Sequence, residues 1–153
     1  MNNNIRLLRK QIKTKCSKLE EMINSDKIIE HIVIIDDDET SNYVTSTTLR
    51  SYGLGNKITI FDNALDGINF LKGLVVKKLK FPDIIFLDIK MPNMNGFEFI
   101  EKCHSFCDLE KDTNVIFLSS STYSKDQENA SDKGIEYISK PLTEKYLTKY
   151  IKE

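Results

Sequence analysis

Ile32-Val33-Ile34-Ile35-Asp36-Asp37-Asp38 and, further on, Ile84-Ile85-Phe86-Leu87-Asp88 share one form: four consecutive apolar residues that end in acid. Runs this short, rich in β-branched residues, read as strands rather than helices. Because the apolar residues are continuous rather than alternating, each strand is expected to be covered on both faces. Ile58–Phe61, Val115–Leu118 and Ile135–Ile138 complete a set of five. The segments between them carry helical spacing. Leu65, Ile68, Leu71 and Val75 would form one apolar face; so would Phe97, Ile100 and Cys103/His104, and Leu142, Tyr146/Leu147 and Tyr150. Asn95-Gly96 opens the second of these helices. Thr40–Tyr52 is a weaker helix, being full of Thr and Ser. Strand–helix alternation of this regularity predicts an α/β fold: a doubly wound, five-stranded parallel sheet with helices on both faces and right-handed crossovers.

Composition narrows the field. The chain has 153 residues, enough for one domain with a real core and too few for two. At 40% hydrophobic and 29% charged it has the balance of a soluble globular protein. No apolar run approaches the length needed to span a bilayer, and the N-terminus lacks the apolar core of a secretory signal. Three Cys without an export signal fit a reducing cytoplasm better than a disulfide framework. The net charge of −1 hides an asymmetry: residues 1–29 carry seven bases and three acids, a net of +4, leaving −5 on the remainder. Within the basic arm, Ile5, Leu8, Ile12, Leu19 and Met22 fall at heptad-like positions. They predict an amphipathic helix over 3–24, too short to be a coiled coil alone. The expected organisation is an N-terminal helical extension over 1–28 and a single domain over 29–153.

In an open parallel sheet, ligands gather beyond the carboxyl ends of the strands. Asp36, Asp37 and Asp38 follow the first strand, and Asp88 the third. Ser119 ends the fourth, and Lys140-Pro141 follows the fifth. Carboxylates crowded together repel, and a cation is needed to keep them ionised. Magnesium suits such a site, since one or two carboxylates, waters and a phosphoryl group fill its octahedron.

Four motifs in this order resemble a known family. Ile32–Asp38 resembles the first strand and acidic pair of a response-regulator receiver domain. Pro82–Pro92 with Asn95-Gly96 resembles its phospho-acceptor strand and loop. Val115–Ser120 resembles its hydroxyl-bearing strand, and Tyr137–Leu142 its final strand with the lysine. Each motif is weak alone; four in register are not. The resemblance covers residues 30–153 and implies a flavodoxin-like sheet of order 2-1-3-4-5. It implies that Asp88 accepts a phosphoryl group from a phosphohistidine, that Asp37 binds Mg2+ directly, and that Asp36 positions the metal. It further implies that the backbone carbonyl of Lys90 adds a ligand, and that Lys140 and Ser119 contact phosphoryl oxygens. Tyr137 stands at the family's switch-aromatic position, and Lys140-Pro141 is expected to be cis.

The implied function is that of a two-component response regulator, cytoplasmic and, with one helix after the fifth strand, of the stand-alone type. It would act through a protein surface or as a carrier in a phosphorelay, and would not be an enzyme beyond its self-catalysed phosphoryl acceptance and hydrolysis. Its partners would be a sensor histidine kinase or a histidine phosphotransfer protein, and a downstream protein target. The output face would be the fourth helix, fifth strand and fifth helix of the alternation. Homodimerisation through that face or the N-terminal helix is open; direct DNA binding and a membrane span are not expected. Two rivals remain. Asp36-Asp37-Asp38-Glu39-Thr40 fits the D-x-D-x-T nucleophile motif of haloacid-dehalogenase-type phosphatases, with Asp36 as nucleophile and Asp38 as acid-base. That reading gives Asp88 no role and lacks a later acidic pair. A pseudo-receiver, folded but never phosphorylated, would have been favoured by loss of any of the acids, the hydroxyl or the lysine. Cys103, His104 and Cys107 make a poor zinc site without a second pair of ligands.

Overall fold

A computed structural model describes residues 28–148. The helix expected over 3–24, and Tyr150, lie outside the described residues. The order of elements is β1 (His31–Ile35), α1 (Glu39–Ser51), β2 (Lys57–Phe61), α2 (Ala64–Lys77), β3 (Ile84–Leu87), α3 (Gly96–His104), α4 (Leu109–Asp112), β4 (Asn114–Ser119), α5 (Ser124–Lys133), β5 (Glu136–Ser139) and α6 (Glu144–Leu147). The five strands form one parallel sheet in the order β2-β1-β3-β4-β5. The chain therefore winds outward from β1 in both directions, and the strand order reverses between β1 and β3.

The period of a strand divides the core in two. Val33, Ile35, Ile85, Leu87, Val115 and Phe117 face one side and meet Ile68 and Leu71 of α2 and Phe99, Ile100 and Cys103 of α3. Ile32, Ile34, Phe86, Ile116, Leu118 and Ile138 face the other and meet Leu49 of α1 and Leu147 of α6. Each fully buried Ile, Leu or Phe contributes about 1.5–3 kcal/mol of transfer free energy. The expected double coverage is realised for the inner strands β1, β3 and β4, but not at the edges: β2 has no buried residue, with Ile60 41% exposed, and β5 buries only Ile138, because an edge strand has a neighbour on one side alone.

The helices depart from the expected stripes in detail. In α2 the buried arc is Ala64, Gly67, Ile68 and Leu71, whereas Leu65 is 61% and Val75 38% exposed. The helix approaches β1 closely at Gly67, where a Cβ would fall 2.8 Å from Ile35 Cδ1. In α3 it is Phe99, Ile100 and Cys103 that are buried, while His104 turns outward and pairs with Glu110 at 2.6 Å. The short α4 has no counterpart in the sequence reading. The Thr/Ser-rich α1 forms nonetheless, burying Asn42, Thr45, Ser46 and Leu49 and taking Asp38 as its N-cap, with Oδ1 accepting from the N–H of Thr40 and Ser41. Helix α3 begins in a capping box between Asn95 and Glu98.

At the amino end of the sheet, Asp83 is buried and accepts the N–H groups of Glu30 and His31 on Oδ2, with Lys80 3.4 Å from Oδ1. Burial alone would raise its pKa, but these N–H groups and Lys80 together bring it below the ordinary value. This acid fastens β1 to β3 at the pole opposite the acidic cluster.

Candidate functional site

The sheet register sets the site. Ile35 pairs with Leu87, so Asp36 and Asp88 leave adjacent strands at the same level. Ser119 pairs with Ser139, which places Lys140 one step beyond the end of β4. Backbone bonds carry the ladder into the loops: Asp36 N–H to Phe61 C=O, Asp88 N–H to Ile35 C=O, and Lys140 N–H to Ser119 C=O. The Lys140–Pro141 bond is cis.

Asp36 and Asp88 are buried, at 3% and 6% exposure, and Asp37 is exposed. Oxygens of the three acids lie within 4.8 Å of one another. Two ligands on opposite sides of one magnesium are about 4.2 Å apart, so a small closure, or a water in one position, fits this set to a single ion. Among the described residues this is the one group of His, Cys, Asp or Glu placed to hold a metal. Cys103 belongs instead to the core, where burial pushes its thiol up to about 12.

Lys140 supplies the cation of the site. Its Nζ lies 2.5 Å from Asp36 Oδ2 and 3.7 Å from Asp88 Oδ1. Asp88 Oδ1 also accepts the N–H of Ile89 at 2.9 Å. Burial nevertheless raises the pKa of Asp88; the charge of Lys140 opposes the rise and that of Asp36 adds to it. Ser119 is buried at the end of β4, and its Oγ accepts the N–H of Ser121 at 3.3 Å. Lys90, two residues past Asp88, has an exposed side chain. Tyr137 is half-buried on β5 and its hydroxyl donates to the backbone carbonyl of Ser121. Asp36, Asp37, Asp88, Ser119 and Lys140 thus meet at one edge, with Tyr137 beside the loop that follows Ser119.

The backbone at Asp88 is held from behind. Gly96 donates its N–H to Ile89 C=O, and a Cβ there would lie 2.7 Å from the carbonyl oxygen of Asp88. Only glycine permits that approach of α3 to the acidic strand.

Sequence reasoning passed over Ser41 and Asn42 in the first turns of α1. The Ser41 hydroxyl donates to Asp36 Oδ2 at 2.7 Å, and Asn42 Nδ2 donates to the Asp36 backbone carbonyl at 2.8 Å. A polar residue one helical turn after a buried acid was the available signal.

This sheet order, with acids, hydroxyl and lysine at its carboxyl edge, defines a class of signalling domain. The sequence matches the family model of the response regulator receiver domain over residues 32–152, and the chain belongs to that family. It is 30% identical over 145 residues to the sensor histidine kinase CheAY of Helicobacter pylori, a match covering 92% of this chain and 17% of that protein. It is 27% identical over 126 residues to protein PilH of Pseudomonas aeruginosa, covering 78% of this chain and 93% of PilH. Among solved structures, a two component response regulator from Cytophaga hutchinsonii superposes with a TM-score of 0.73 at 32% identity, over 81% of this chain and 96% of the other. Receiver domains are signalling domains of two-component systems rather than conventional enzymes; they bind Mg2+ at an acidic pocket and interact with histidine kinases and downstream targets. The chain spans well under two thirds of several relatives, including 31% of a Myxococcus xanthus protein-glutamate methylesterase/protein-glutamine glutaminase. No helix among the described residues is long and apolar enough to cross a membrane.

Proposed function

We propose that this receiver accepts a phosphoryl group from a phosphohistidine on Asp88. The observation that carries the reading is the position of Asp88: a buried carboxylate beside Lys140, with two further acids placed to share a cation. An oxygen of Asp88 forms the new bond to phosphorus as the bond to the histidine nitrogen breaks, and the imidazole leaves with the electron pair. Asp36, Asp37 and Asp88, with the carbonyl of Lys90, are the groups that would hold Mg2+; when bound, the ion neutralises charge on the phosphoryl oxygens. Lys140 moves toward the phosphoryl group, and the Ser119 hydroxyl turns in to donate to it. Moving Ser119 disturbs its bond to the Ser121 N–H, and the Ser121 carbonyl holds the Tyr137 hydroxyl. Tyr137 then shifts toward a buried rotamer, a change of population between two packings. The face built from α5, β5 and α6 is the proposed output surface, toward a protein target or the next carrier of a relay. The donor is a sensor histidine kinase or a histidine phosphotransfer protein, the setting cytoplasmic, and hydrolysis of the acyl phosphate self-catalysed.

Intact mass after incubation with acetyl phosphate, with and without Mg2+, tests this reading on wild type and Asp88→Asn. The expected result is a gain of one phosphoryl group that needs Mg2+ and disappears in Asp88→Asn. A gain that survives Asp88→Asn but is lost in Asp36→Asn would establish the phosphatase-like alternative. No gain from acetyl phosphate or a phosphohistidine donor, and no response to beryllium fluoride, would make the domain a pseudo-receiver.

A further inference from the structure

We infer that Ser41 is a positioning residue for the cation site, dividing the two oxygens of Asp36 between the metal and Lys140. The inference rests on the reading of the site given above. Asp36 Oδ2 accepts from the Ser41 hydroxyl at 2.7 Å and lies 2.5 Å from Lys140 Nζ. A carboxylate oxygen has two lone-pair directions, so Oδ2 is fully used. Oδ1 accepts only the Asp38 N–H, at 3.0 Å, and keeps one direction for a cation or its water. Rotation of the carboxylate would exchange the two oxygens. The Ser41 hydroxyl opposes that rotation from α1, while Asn42 Nδ2 holds the Asp36 backbone carbonyl at 2.8 Å.

The arrangement matters most when Lys140 leaves. If the lysine moves to a phosphoryl group on Asp88, Asp36 Oδ2 loses its cation and would be buried with no donor but Ser41. The hydroxyl keeps the acid oriented in both states, which no group on β3, β4 or β5 is placed to do. Groups behind a ligating residue commonly alter metal affinity by 10–100-fold when removed.

The test measures Mn2+ affinity by electron paramagnetic resonance of the free ion, with thermal midpoints of the metal-free proteins, for wild type, Ser41→Ala, Ser41→Thr and Ser41→Cys. Ser41→Ala should weaken Mn2+ binding about tenfold with little change in the metal-free midpoint, and Ser41→Thr should restore most of the loss. Should Ser41→Ala melt far below wild type, Ser41→Cys decides instead, because it keeps the volume and weakens the donor. Wild-type affinity in Ser41→Ala, or in Ser41→Cys where that decides, overturns the inference alone; so does a Ser41→Thr variant no better than Ser41→Ala. Absence of Mn2+ binding by wild type overturns the inference together with the metal-dependent reading of the site.

Discussion

The Lys140 ammonium sits nearer to Asp36, at 2.5 Å, than to Asp88, at 3.7 Å. One cation is therefore shared unequally between two buried acids on neighbouring strands. The acid proposed to react is the less neutralised of the two, and burial raises its pKa. The site holds its lysine in reserve, close to the reacting acid but bound to another.

Lys140→Met should destabilise the metal-free domain by about 3 kcal/mol at neutral pH, because it leaves Asp36 and Asp88 buried without their cation. Mg2+ should recover more of that loss than it adds to wild type. Urea denaturation with and without Mg2+ measures both. Equal stability of mutant and wild type without metal would mean the ion pair contributes nothing net.

Asp88→Asn should raise the thermal midpoint of the metal-free protein by a few degrees at pH 7 to 8. A raised carboxyl pKa means that the fold favours the protonated acid. The contribution of this group to stability is complete below its ordinary value of 3.8 and is lost as pH rises through its higher folded value. The advantage of Asp88→Asn should accordingly shrink toward low pH. Calorimetry across pH 4 to 8 checks the sign, and a gain that grew on acidification would contradict it.

Two glycines should respond in opposite ways to alanine. At Gly96 a Cβ would lie 2.7 Å from the backbone oxygen of Asp88 and 2.9 Å from Phe117 Cε1, so Gly96→Ala should cost about 1–3 kcal/mol and impair phosphoryl uptake. At Gly73, inside α2, nothing lies within 4 Å, and Gly73→Ala should stabilise by about 0.5–1 kcal/mol. Chemical denaturation of the two variants beside wild type is sufficient.

Much of this was readable in the sequence, for identifiable reasons. Strands covered on both faces are written as unbroken apolar runs, so β1 and β3 stand out without reference to their partners. Asp36, Asp88 and Ser119 follow such runs directly, Lys140 follows the interrupted segment Ile135–Ser139, and strand ends in a parallel sheet converge by topology. The helices were less legible. In α2, Ile68 and Leu71 are buried as their period implies, but Leu65 and Val75 are exposed, since the buried arc runs through Ala64 and Gly67, small residues that carry little periodic signal. The hydrogen bond from Ser41 to Asp36 depends on where the first turn of α1 begins, which Asp38 fixes by capping it. Sequence spacing gives the neighbourhood of such a bond and not its geometry.

The contact between Lys140 and Asp36 joins the end of the last strand to the end of the first. A chain cut before β5 would therefore keep Asp36, Asp37 and Asp88 and lose Lys140, their internal counter-charge. Even partial neutralisation of the acidic edge thus depends on the last strand being docked, through a contact of high sequence separation.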